Sequence, residues 1–218
     1  MTRPSRNTNR ILLDTGKEMI RAAGLSGLSV RQLAARTGVN LGMFHYHFKT
    51  KEAFGRRALQ EIYEEFFKTF RLESSSRGTP EKQLERALIA FGRFARDNRS
   101  LALSIIKDLL EKEQEAFRFV TTNIPRHLTI LLELVKQCQR RGSLRPIAPE
   151  AALAFLAGSV VAPFIIIALL ERVIGMGLPL KGSSELRSLL LSDQIIFQRV
   201  EMALKGLRSD TKRGWKKR

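Results

Sequence analysis

Residues 38–54 read GVNLGMFHYHFKTKEAF, and the side chains with chemistry to offer are densest here. Two of the three histidines, His45 and His47, flank Tyr46, and Lys49 and Lys51 follow. Three kinds of chemistry would use such a set: metal ligation, catalysis, or contact with a polyanion. Spacing argues against metal, because residues two apart on a helix point about 200° from each other, whereas helical metal pairs sit about three or four apart. The remaining histidine is His127, no carboxylate stands at helical ligand spacing within the stretch, and the single cysteine, Cys138, cannot form a CxxC pair. Nucleophilic catalysis has no better footing. The sequence holds no G-x-S-x-G and no glycine-rich phosphate loop, and Cys138 lies in an apolar stretch without a neighbouring base. The chain is therefore expected to be no enzyme, and to use neither metal nor cofactor.

Charge favours the polyanion. The net charge is +17 over 218 residues, and residues 1–60 carry 11 Lys and Arg against 3 Asp and Glu. A balance that basic points to phosphates, on nucleic acid or on an anionic membrane surface. With 44% hydrophobic residues the chain has material for a core. The lone cysteine excludes an intrachain disulfide and fits a reducing compartment. The basic start, MTRPSRNTNR, has no apolar stretch behind it, so no secretory signal is expected. These features predict a cytoplasmic protein.

The elements that must position the stretch all read as helices. From Ile11 to Ala23 apolar residues recur at helical spacing, and Gly24 ends the run. Ser29 with Gln32 three residues on forms a capping box, Val30, Leu33 and Ala34 make one apolar face, and Gly38 stops this short helix. Asn40 caps a second short helix over 41–47, and Thr50 caps a longer one from Lys51 to about Leu72. SSSRGT, residues 74–79, reads as a linker, after which Pro80 opens another helix at its first position. Helices are predicted over 101–112, over 113–141 with Pro125 as a kink or restart, over 150–172 and over 193–207. The fold class is all-α.

Two short helices joined by a glycine-containing turn make a helix-turn-helix, whose second helix enters a major groove by its N-terminal end. Here that end is Asn40, Leu41, Gly42 and Met43. Gly42 would allow close approach, and Leu41 and Met43 could meet thymine methyls. His45, Tyr46 and His47 offer hydrogen-bond donors to phosphate or base, and Lys51, in the first turn of the next helix, suits a phosphate. Ser29, Arg31 and Gln32 complete the candidate DNA-binding set, with Arg31 on phosphate. Phe44 and Phe48, four apart on one face, read as core, and Lys49 as merely exposed.

The run LSVRQLAARTGVNLGMFHYHFKTKEAF, Leu28 to Phe54, resembles the DNA-binding domain of the TetR family of bacterial repressors. The family pattern has a tyrosine where this chain has His45, and its other aromatic positions hold Tyr46, His47 and Phe48. The resemblance covers roughly the first 65 residues. It implies an N-terminal three-helix helix-turn-helix domain (1–73), a larger C-terminal helical ligand-binding and dimerisation domain (79–208), and here a basic tail (209–218). It also implies a homodimer on double-stranded operator DNA, released by a small-molecule effector that is largely apolar. On the same ground Phe91, Phe94, Phe117, Phe119, His127 and Phe155 are pocket candidates, although aromatic residues at helical spacing are also ordinary core.

One segment supports a different class of function. AALAFLAGSVVAPFIIIALL, residues 151–170, has Ser159 as its one polar side chain. At about 1.5 Å per residue it would span roughly 30 Å, the depth of a bilayer core. The alternative is thus a basic membrane-associated helical protein. A helix apolar all round is buried somewhere, and the resemblance places a central helix here, against ligand and a partner subunit, so no membrane is expected.

Overall fold

The computed structural model describes residues 6–175 and 188–209, and among them every regular element is a helix. They are α1 (Arg6–Ala23), α2 (Val30–Thr37), α3 (Leu41–Phe48), α4 (Lys51–Ser75), α5 (Pro80–Asp97), α6 (Arg99–Leu110), α7 (Gln114–Arg140), α8 (Pro149–Gly175) and α9 (Asp193–Leu207). The chain divides into two compact units. One holds residues 1–66 and 97–123, and the other 67–96 and 124–218. The segment 176–187 and the basic tail beyond Ser209 lie outside the described residues.

In the first unit α1 to α3 close over Leu12, Ile20, Leu33, Phe44, Phe48 and Phe54, all buried. The rings of Phe44, Phe48 and Phe54 form one cluster, with centroids 4.8–5.6 Å apart. Burial of this kind stabilises by roughly 25 cal/mol per Å² of apolar surface. Gly16 is fitted to the cluster, since a Cβ there would lie 2.2 Å from the Phe54 ring. Beside this packing, the buried Lys17 ammonium meets Glu65 at 2.6 Å and Asp14 at 3.0 Å, tying α1 to α4. The loss of hydration and the paired carboxylates pull on the Lys17 pKa in opposite directions, and the net shift is upward. From the same unit, α7 reaches α4 through Asn123, whose side chain exchanges hydrogen bonds with Gln60 and whose carbonyl accepts from the Tyr63 hydroxyl.

The second unit packs α5, α8 and α9 at Gly92, where a Cβ would come within 2.9 Å of Ile196 and Val160. Arg93 and Arg96 both bond to Asp193 at the start of α9 and hold its carboxyl below the usual range. Buried Cys138 has its thiol pushed up to about 11 by burial, so it is not poised for thiolate chemistry.

Two local expectations change. α4 runs on to Ser75, into the stretch read as linker, because the hydroxyls of Ser74 and Ser75 donate back to the Arg71 carbonyl and continue the turn. Pro125 neither restarts nor ends α7, which is continuous through it.

Candidate nucleic-acid interface

The turn between α2 and α3 is built by its caps. The Ser29 hydroxyl accepts from the Gln32 N–H at 3.4 Å, which starts α2. Gly38 ends α2 at φ 66°, a left-handed conformation that costs glycine little. Asn40 is extended, and its side-chain oxygen accepts from the Met43 N–H at 2.8 Å, which starts α3. Ser29 and Asn40 are therefore engaged as caps in the unbound protein. Their position beside the exposed face is set by that role.

α3 is two-sided. Phe44 is 0% exposed and Phe48 is buried with it, and these fix the helix to the core. The opposite side carries Leu41, Gly42, His45 and Tyr46, all exposed, Tyr46 at 69%. Arg31 and Gln32 on α2, Asn40 in the turn and Lys51 on α4 are exposed as well. Ser29, Met43 and His47 are half-buried. His47 Nε2 is shielded and has no hydrogen-bond partner, while its ring stands edge-on to Tyr46 with centroids 5.4 Å apart. His45 is held by the chain itself, because its Nδ1 lies 3.0 Å from the Lys49 carbonyl. A carbonyl oxygen only accepts, so Nδ1 carries the hydrogen in this contact.

The connection to α4 contains a feature that residue types did not announce. Lys49 adopts φ 60°, ψ −56°, and Thr50 N–H donates to the Phe48 carbonyl at 2.6 Å. That is a tight three-residue turn of the strained kind. No glycine or asparagine marks it, so the sequence carried no sign of it. Thr50 then caps α4 by accepting from the Ala53 N–H at 3.1 Å. The result is an exposed surface that carries Leu41, Gly42, His45 and Tyr46 of α3 together with the cations Arg31, Lys49 and Lys51. Among the described residues no group of His, Cys, Asp and Glu is arranged to hold a metal ion.

Of the six pocket candidates, four lie in the second unit and two in the first. In the second unit Phe91 lies 4.9 Å, ring to ring, from buried His127, which also meets Phe70 edge-on. Burial, and then the Arg126 charge, hold the His127 pKa down to about 4, so it is neutral. Phe94 is half-buried on the same helix as Phe91, and Phe155 is exposed at 48%, close to Gly206. In the first unit Phe119 packs edge-on against Tyr63, and Phe117 is 62% exposed.

Residues 12–57 match the family model of bacterial regulatory proteins, tetR family. The HTH-type transcriptional repressor DhaR of Mycobacterium sp. (strain GP1) is 36% identical over 58 residues, a match that spans only 27% of this chain and 29% of that relative. The ketosteroid transcriptional regulator KstR2 of Mycobacterium tuberculosis superposes with a TM-score of 0.67 at 18% identity, over 94% of this chain and 97% of that one. The transcriptional regulator FadR of Bacillus subtilis, solved with stearoyl-CoA, superposes with a TM-score of 0.66 at 15% identity, over 92% of this chain and 100% of that one. At such identities these two likenesses speak for the fold: a helix-turn-helix domain followed by a helical C-terminal domain.

Proposed function

We propose, from the premise that this chain belongs through residues 12–57 to the tetR family of bacterial regulatory proteins, that it is a cytoplasmic transcriptional repressor. It works as a homodimer, holds two recognition helices on one double-stranded operator, and lets go when a small, largely apolar effector binds. Regulators of this family are DNA-binding proteins and not enzymes. The observation that carries the reading is the division of α3, with Phe44 and Phe48 buried and Leu41, Gly42, His45 and Tyr46 turned outward. A helix that served only the core would not spend four of eight positions on an exposed, partly apolar and aromatic face beside basic residues.

The dimer is supported by α8 and α9. Phe155, Ile166, Leu169 and Leu170 on α8, with Phe197 and Met202 on α9, are exposed apolar side chains. A second copy laid on this face would take them out of water, and two-fold symmetry would space the recognition helices about one DNA turn apart, near 34–36 Å. The same helix favours a second reading. Pro149–Val173 is long and apolar enough to cross a membrane, with mean hydropathy 2.6, and only 33% of its most apolar window is buried within the chain. Recovery of the full-length protein in a detergent-requiring membrane fraction after a salt wash would favour that reading over the repressor.

FadR of Bacillus subtilis was solved with stearoyl-CoA, a long apolar chain on an anionic head, which supports an effector with a large apolar part. Linkage then demands reciprocity: if effector weakens operator binding, operator weakens effector binding by the same factor. The DNA reading is tested with Tyr46→Ala and Lys51→Ala. Each should lower operator affinity about tenfold, the size of one lost base or phosphate contact of 1–3 kcal/mol, with the helical circular dichroism unchanged. Wild-type affinity in both variants, with helicity intact, would remove these residues from the contact surface.

A further inference from the structure

α9 carries a cation without a counter-charge among the described residues. Arg199 is half-buried, and its Nη1 is shielded from solvent with no hydrogen-bond partner. No ion pair reaches it among the described residues. Its guanidinium lies 5.2 Å over the centre of the Phe164 ring, which is fully buried on α8. Burial pulls its pKa down, and no neighbouring carboxylate offsets this. Elsewhere in the same unit the rule is the reverse: Arg93 and Arg96 share Asp193. A shielded donor without a partner costs on the order of 1–3 kcal/mol and is rare in native proteins.

The neighbourhood excludes the simple remedies. The buried face of α8 presents Leu156, Val160, Phe164 and Ile167, none of which accepts a hydrogen bond. Within the chain, the carboxylates of α8 and α9 are engaged or distant. Asp193 is taken by two arginines, Glu201 is paired with Lys205 at 2.6 Å, and Glu171 is engaged too. Glu150 stands at the other end of α8 from Phe164, roughly 21 Å away at 1.5 Å per residue. Among the described residues, α8 and α9 supply no acceptor for it.

We propose that Arg199 anchors the acid group of a bound organic anion, a carboxylate or phosphate ester with an apolar body. The guanidinium fork suits two oxygens of one oxyanion, and the ring beneath it keeps the fork flat. An apolar body is required because a small hydrated ion would give up its water with nothing to offset the loss, whereas a chain or ring that leaves water on binding recovers it by its own burial. This deepens the effector part of the function proposed above and rests on it for the consequence of binding. It gives that effector a charge.

The test uses full-length protein with decanoate, decyl phosphate and the neutral control decanol, by calorimetry and thermal shift. Wild type should bind one or both anions, and Arg199→Met should weaken that binding about tenfold or more, as expected for a lost charge-assisted pair. Arg199→Lys should fall between them, and decanol should bind both proteins alike. The unliganded melting temperature of Arg199→Met should equal or exceed that of wild type, because an unpaired charge has been removed. Three results would overturn the site: no anion binding to wild type, equal binding to Arg199→Met, or a lowered unliganded melting temperature, which would make the guanidinium structural. A mobility shift on the same samples separates the two proposals. Protein that binds DNA but neither anion refutes the Arg199 site alone, and protein that binds an anion through Arg199 but no DNA refutes only the regulator.

Discussion

Single residues here show where local energy has been set against function. Lys49 sits at φ 60° in a three-residue turn, a conformation that costs a non-glycine residue on the order of 1–3 kcal/mol. Such strain persists where the side chain is wanted, and this one is exposed between Tyr46 and Lys51. Lys49→Gly should therefore leave stability unchanged or raise it by up to about 1 kcal/mol, relief being partly offset by the freer unfolded chain, while weakening DNA binding. Urea denaturation and a mobility shift on one preparation check it, and lost stability with unaltered affinity would reverse the interpretation. His127 makes a second case. Its pKa is about 4 in the folded protein against 6.5 for the free side chain, chiefly from burial. Between those values the unfolded chain takes up a proton that the folded chain refuses, so acidification from pH 6.5 to 4 should remove up to roughly 3 kcal/mol of stability. His127→Phe should flatten that part of the stability–pH curve relative to wild type. Parallel curves would mean that His127 does not titrate differently on unfolding.

At the scale of elements, α8 has to explain an apolar surface larger than its own chain covers. If a second copy covers it, Ile166→Glu, which places a charge in the exposed stripe of α8, should shift the protein from dimer to monomer in sedimentation velocity while the helices survive. A dimer of wild-type strength would put the interface elsewhere. The helices themselves were largely legible in the sequence, because their ends are chemical. Ser29, Asn40 and Thr50 each accept from an N–H three residues on, the spacing that marks them as caps before any fold is known. The alternation of Phe44 and Phe48 with polar neighbours likewise told core from surface on α3. Where the reading failed, a local alternative satisfied the backbone: Ser74 and Ser75 look like linker but donate into the helix. What periodicity cannot carry is the identity of the neighbour. Phe91 and Phe119 sit at equally good helical positions, yet one packs on His127 in one unit and the other on Tyr63 in the other unit. Arg199 was invisible for the same reason, since an arginine in an amphipathic helix is ordinary until its guanidinium is seen to lack a partner.

For the whole molecule the dominant property is charge, +17 on 218 residues. Double-stranded DNA rewards this through counterion release, which adds about 0.9 to the log–log salt slope for each phosphate neutralised. The tail beyond Ser209 reads DTKRGWKKR, five cations against one aspartate. Trp215 among them could stack on a base or lie on protein. Where to cut follows from the contacts before it. Arg145 N–H donates to the Leu207 carbonyl at 2.8 Å, and Ser209 N–H to the Ser143 carbonyl at 3.2 Å, so the chain is tied to the α7–α8 loop through Ser209. A chain ending at Ser209 keeps these bonds and loses only the tail. If the tail rests on phosphates, its removal should lower the salt slope by about 0.9 per lost contact and weaken operator and random DNA by the same factor, because phosphate contacts carry no sequence information. If it is only a solvated end, the slope will not move. Affinity for both DNAs across a salt series, with and without residues 210–218, decides between the two, and a loss confined to operator would point instead to base contacts by Trp215.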